Sequence, residues 1–225
     1  MAKESKEALK ARARKVFERL RQEYPDARCA LAFSTPFELL VATILSAQCT
    51  DVKVNQVTAD LFREARTPRA FAEMPLEALQ AKVRPTGFFR NKARSIQAMS
   101  TMLLEKFGGR VPRDIEDLVT LPGVARKTAN VVREAAFGLP GIITDTHVIR
   151  LSGRLALTRQ KDPVKIERDL QALVSEKDWG RFSHAIVFHG RRVCEAKKPR
   201  CDACGVSDLC PSAFRFPHFR GKAAR

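Results

Sequence analysis

The sequence has no uninterrupted apolar run approaching the ~20 residues that cross a bilayer, and its first residues hold no hydrophobic signal-peptide core. Met1 to Lys15 interleaves Glu4 and Glu7 with lysine and arginine, unlike an acidic-poor organellar transit segment. Together these absences predict a chain that stays in the cytoplasm and has no membrane partner. Period-two alternation of β-branched residues is scarce, which weighs against a sheet-based fold. Internal repeats and low-complexity tracts are missing too, which excludes solenoids and leaves only the basic tails at either end as candidates for partial disorder. Acidic residues are few: 25 Asp and Glu face 41 Lys and Arg, for a formal net charge of +16. A chain this basic usually meets a polyanion, most often nucleic acid, although a solubilising surface or a ribosomal passenger carries the same charge.

What is present reads as helix after helix. The chain is 44% hydrophobic over 225 residues, enough for one domain or two small ones. Leu9, Ala13, Val16, Phe17, Leu20 and Tyr24 recur at helical spacing behind a basic face. Pro36 opens a second segment, and Thr50 or Asp51 caps a third. Asn91 is placed to cap a helix that Gly108-Gly109 ends. Asp114 starts a short helix ending at Leu121, and Pro122-Gly123 turns the chain into another that reaches Phe137. Asp145 precedes a periodic segment over Val148–Leu155, Asp162-Pro163 starts the next, and residues 181–193 form a last helix leading to Cys194. The fold class is all-α.

Four of the six cysteines, Cys194, Cys201, Cys204 and Cys210, crowd into seventeen residues as C-x6-C-x2-C-x5-C. In a reducing compartment that spacing favours metal ligation over disulfides. Zinc and a [4Fe–4S] cluster both remain open on spacing, although zinc sites usually show two C-x-x-C knuckles and here there is one. Cys29 and Cys49 stand among apolar residues and read as buried small hydrophobes. Between the first two ligands, Lys197, Lys198 and Arg200 would form a rigid basic knuckle suited to phosphates, or else a solvated loop.

A second constellation is LPGVARKTA over residues 121–129. Two helices joined by a tight Pro-Gly turn leave backbone N–H groups pointing outward, and Gly123 lets a phosphate approach them. An ordinary helix connection has the same composition. Lys127 falls in the first turn of the second helix, where the helix dipole and neighbouring Arg126 disfavour its charge and so favour a nucleophilic amine. Taken alone, such a lysine is more commonly a phosphate contact. Asp145 reads first as a helix N-cap, a role compatible with an ionised carboxylate that orients an amine or stabilises a sugar cation.

Together, LPGVARKTANVV over 121–132, Asp145-Thr146-His147 eighteen residues after Lys127, LSAQCTD over 45–51, His189-Gly190-Arg191 and the cysteine spacing resemble the endonuclease III family. The likeness stays in register from about Pro36 to Cys210. It implies a bifunctional DNA glycosylase/AP lyase that removes oxidised pyrimidines from double-stranded DNA, with Lys127 as nucleophile, Asp145 as the essential carboxylate, and a [4Fe–4S] cluster on Cys194, Cys201, Cys204 and Cys210. By family position Gly123, Ala125 and Arg126 hold the DNA backbone, joined by Lys197, Lys198 and Arg200. Gln48, Phe88 and His147 fill the gap left by an extruded nucleotide; their bland alternatives are a helix-end polar residue, a core aromatic and a surface histidine. The resemblance further implies a monomer of two helical lobes, 29–139 and 1–28 plus 140–225, with the helix–hairpin–helix motif in the first, the cluster loop in the second, and a DNA cleft between them.

Three positions depart from the family pattern: Ala125 replaces a second hairpin glycine, Phe88 a smaller aliphatic wedge, and Cys49 an alanine. Three other readings compete. An adenine glycosylase of the same superfamily is expected to lack the hairpin lysine and to continue well beyond the cluster. A pyrimidine-dimer glycosylase shares the lysine. A non-catalytic, metal-stapled DNA-binding module keeps the charge and the hairpin but leaves Lys127 and Asp145 unexplained.

Overall fold

A computed structural model describes residues 4–219; the outermost parts of both basic tails lie outside them. Among the described residues there are helices and no strands. They form two compact units: the described residues up to Arg28 with those from Pro140 onward, and Cys29–Leu139. No described helix is long and apolar enough to cross a membrane.

α1 (Lys6–Glu23) starts at Ser5, whose side chain accepts from the Ala8 N–H, and buries Ala13, Val16, Phe17 and Leu20. The Cys29–Leu139 unit follows. It holds α2 (Pro36–Leu45), α3 (Asp51–Glu64), α4 (Pro68–Glu73), α5 (Leu76–Val83), α6 (Phe89–Phe107), α7 (Ile115–Leu118) and α8 (Arg126–Phe137). α2 is buried on every side from Phe37 to Leu45, as a helix apolar all round must be. Its one buried charge belongs to its start. Glu38 accepts from the Ser34 N–H at 2.6 Å and pairs with Arg66, while Thr35 caps the Glu38 N–H at 3.1 Å.

The other unit adds α9 (Thr146–Arg154), α10 (Pro163–Leu173) and α11 (Trp179–Arg192) to α1. Phe17 and Phe182 meet edge to face at 5.8 Å in its core, among Leu20, Val148, Leu151, Ile166 and Leu170.

Several boundaries differ from the expected ones. α6 begins at Phe89, not after an Asn91 cap; its N-cap is Phe88, which is left-handed and makes no side-chain capping bond. α7 stops at Leu118, because Val119, Thr120 and Leu121 turn through short-range backbone bonds into the hairpin. α11 spans Trp179–Arg192 rather than 181–193. Cys29 and Cys49 are half-buried, not core residues.

Candidate active site

In the Cys29–Leu139 unit the hairpin runs through a turn at Gly123, whose φ of +79° is left-handed. A β-carbon there would lie 2.8 Å from Cβ of Ser95, so close packing against α6 as well as the turn demands glycine. Ala125 is the N-cap of α8, in extended conformation, and offers no side-chain capping bond. The helix start, with no side-chain cap from Ala125, carries the positive end of the α8 dipole. Gly123 and Ala125 are exposed and Arg126 is half-buried. Lys127 is exposed in the first turn. Burial pushes the nearby Cys29 thiol up, while the Lys127 charge pulls it the other way.

Gln48 and Phe88 share an unusual backbone. Both are exposed, and both have positive φ, 52° and 49°. Holding a non-glycine residue there costs about 1–2 kcal/mol, and such strain concentrates at functional sites. Phe88 is 63% exposed, which overturns its reading as a core aromatic.

In the other unit Asp145 is half-buried and is the N-cap of α9, accepting from the Val148 N–H at 2.9 Å. His147, Arg150 and Arg154 follow on one face of that helix, at i, i+3 and i+7. Arg150 places Nη2 3.1 Å from Nδ1 of His147 and donates to the carbonyls of Gly190 and Cys194, each at 3.1 Å. Gly190 has no room for a side chain, because a β-carbon would fall 2.7 Å from Nδ1 of His147. Gly190→Ala is expected to displace His147 and Arg150 and to lower stability by about 1–3 kcal/mol by overpacking, measured as a reduced urea midpoint.

None of the six cysteines is in a disulfide. Cys201 is buried; Cys194, Cys204 and Cys210 are half-buried. Burial pushes the Cys204 thiol up to about 11, and the other three cysteines of the group add to the rise. Arg154 donates to Sγ of Cys194 at 3.2 Å and to the carbonyls of Glu195 and Ala196 at 2.8 and 2.7 Å. Nε2 of His189 stands 3.3 Å from Sγ of Cys204, and its Nδ1 stands 3.0 Å from the Tyr24 hydroxyl. Among the described residues no group of three or more His, Cys, Asp or Glu forms a site for a single metal ion. Lys197, Lys198 and Arg200 are exposed on the intervening loop, where the Arg200 guanidinium also reaches back to the Arg192 carbonyl. Arg150, Arg154 and Tyr24 were not foreseen from sequence. The i, i+3, i+7 spacing from His147 was the one available signal for the two arginines.

Burial holds His147 and His189 below the ordinary histidine range. Their unfolded forms titrate near 6.5, so the unfolded chain takes up more protons as pH falls. Stability should be full above about pH 6.5 and decline below it, a loss measurable as a lower urea midpoint at pH 5.5 than at 7.5.

Residues 41–176 match the family model described as HhH-GPD superfamily base excision DNA repair protein. The chain is 52% identical to an endonuclease III of Synechocystis sp. over 205 residues, covering 91% of this chain and 94% of that protein. It is 42% identical to the endonuclease III of Escherichia coli strain K12 over 201 residues, 89% and 95% of the two chains. A solved structure of a trapped endonuclease III–DNA covalent intermediate superposes with a TM-score of 0.88 at 44% identity, covering 92% of this chain and 97% of that one.

Proposed function

The chain belongs to the HhH-GPD superfamily of base excision DNA repair proteins, and from that premise we propose that Lys127 and Asp145 carry out its chemistry on oxidised pyrimidines. The protein is a DNA glycosylase/AP lyase of base excision repair that acts on damaged double-stranded DNA. The damaged nucleotide leaves the stack, because its C1′ is out of reach inside a duplex. The amine of Lys127 forms a bond to C1′ as the bond to the base breaks, with the Asp145 carboxylate stabilising the cationic sugar. Opening of the ring gives an iminium. Loss of the C2′ proton then expels the 3′ phosphate by β-elimination.

One observation carries this reading: Lys127 is exposed in the first turn of a helix whose N-cap is alanine and whose preceding turn needs glycine at 123. The relative trapped as a covalent intermediate with DNA supports a nucleophile in this scaffold. Gln48, Phe88 and His147 occupy the gap, the first two from strained exposed turns. Gly123, Ala125 and Arg126 take the backbone phosphates, with Lys197, Lys198 and Arg200 adding contacts from the cysteine loop.

The cysteine donor set, four thiols of one loop with an arginine N–H on Cys194 and an imidazole beside Cys204, suits a [4Fe–4S] cluster. When bound on Cys194, Cys201, Cys204 and Cys210, that group supplies a structural pin for the basic loop and takes no part in bond making. The protein works as a monomer in the cytoplasm, at the nucleoid.

Two experiments test these roles. Borohydride reduction during incubation with a thymine-glycol or abasic duplex should leave a covalent protein–DNA adduct. Its absence would leave a DNA-binding module in place of an enzyme. The purified protein should be yellow-brown with about four irons per chain; a colourless zinc protein would exclude the cluster.

A further inference from the structure

Lys92 is the one lysine buried in the Cys29–Leu139 core, at 5% exposure, and nothing in the proposed chemistry uses it. Its position in α6 points its ammonium at no carboxylate. It donates instead to two backbone carbonyls, Leu45 at 2.8 Å and Thr86 at 2.7 Å. Leu45 ends α2 three residues before Gln48, and Thr86 stands two residues before Phe88. The Lys92 N–H also closes on the Phe88 carbonyl, at 3.1 Å. One side chain therefore joins the two segments that end in the exposed left-handed residues Gln48 and Phe88, which are forty positions apart in sequence.

A buried ammonium is a costly way to satisfy two carbonyls, and burial pulls Lys92 below the ordinary lysine range. What it supplies that water would not is a fixed distance between the two turns. Three donors on a compact head let one group hold both carbonyls at once. Thr86 is braced in addition through its hydroxyl to the Val83 carbonyl at 2.8 Å, and Ser46 through its hydroxyl to the Thr43 carbonyl at 2.8 Å. The turns are anchored at their bases and open at their tips.

We infer that Lys92 is a positioning residue for lesion recognition: it locks the Gln48 and Phe88 turns in register so that both side chains enter the duplex together where a nucleotide is extruded. The inference rests on the reading of Gln48 and Phe88 as the residues that fill the gap. Preorganised turns lower the cost of occupying an abasic space, and they contribute little where the duplex is intact.

The test compares affinity for a duplex containing a tetrahydrofuran abasic analogue with affinity for the same duplex undamaged, alongside the fluorescence of a 2-aminopurine next to the analogue. Lys92→Met nearly keeps the length and removes the donors; Lys92→Gln, a shorter side chain whose amide keeps two N–H donors, serves if the methionine variant does not fold. Preference for the abasic duplex should fall by roughly tenfold, on the scale of a misplaced positioning group. The 2-aminopurine enhancement should fall with it, while binding to undamaged DNA stays within about twofold of wild type, since phosphate contacts are untouched. A general loss of structure would instead weaken both duplexes together, and that result overturns the inference. Gln48→Ala and Phe88→Ala should show the same selective loss. If they do and the Lys92 variants keep full preference, Lys92 is only a core strut. If neither alanine variant loses preference, the assignment of the two turns fails and the inference falls with it.

Discussion

Lys127→Ala should give no borohydride-trapped adduct and should lower strand cleavage at an abasic site by roughly 10³-fold or more, the scale on which loss of a covalent nucleophile is felt. Binding should survive, because Lys127 is one exposed cation among the 41 lysines and arginines of the chain. The fold should survive too: the side chain is exposed, and alanine is the best helix former at that position. A variant that binds the abasic duplex within a few-fold of wild type, melts normally and forms no adduct identifies the nucleophile. If the adduct persists, another amine attacks. Lys127→Arg sharpens the result, since it keeps the positive charge and offers no usable nucleophile. It should fail in trapping as completely as alanine, whereas a phosphate-binding lysine would tolerate the exchange.

The second large effect concerns Asp145, where two roles coincide. As an N-cap it accepts from the Val148 N–H, and asparagine caps a helix about as well as aspartate. Asp145→Asn should therefore leave the urea midpoint nearly unchanged while removing the negative charge. Single-turnover base release should drop by about 10²–10⁴-fold if the carboxylate stabilises the sugar cation or handles a proton. Asp145→Ala should lose the same activity and in addition about 1 kcal/mol of stability. Full activity in the asparagine variant would reduce Asp145 to a cap and move the electrostatic role elsewhere. Adding a phosphate-free carboxylate such as formate to the alanine variant gives a further check, because partial rescue of base release requires that the missing group be an anion at that place.

The cysteine loop illustrates how far residue spacing carries an argument. C-x6-C-x2-C-x5-C pointed to metal ligation, yet four sulfurs in seventeen residues suited zinc or iron–sulfur equally. The contacts around the sulfurs come from elsewhere: Arg154 reaches Cys194 across forty residues, and His189 meets both Cys204 and Tyr24. The hairpin behaved similarly. Pro122-Gly123 located the turn, but only the approach of Ser95 explains why no β-carbon fits at 123.

Elements written in local chemistry were legible from the residues. Helical period placed α1, α2 and α10, the Pro122-Gly123 turn placed α8, and Thr50, Asp145 and Asp162 each cap the helix they precede. These signals act over three or four residues, so the chain states them directly. The start of α6 shows the limit. Asn91 looked like its cap, but the helix begins two residues earlier behind a left-handed Phe88, in a turn tied down by Lys92 through Thr86 and Leu45. A lysine between Asn91 and Ala93 gives no sign that it will be buried, nor that its partners lie six and forty-seven residues away. Burial and partner choice are set by segments that meet only after collapse, and the strain at Gln48 and Phe88 is paid from that packing. The residue types suited to the chemistry were thus determined by the sequence itself, while the tertiary structure decided which turns are held rigid and which side chains are presented to a ligand.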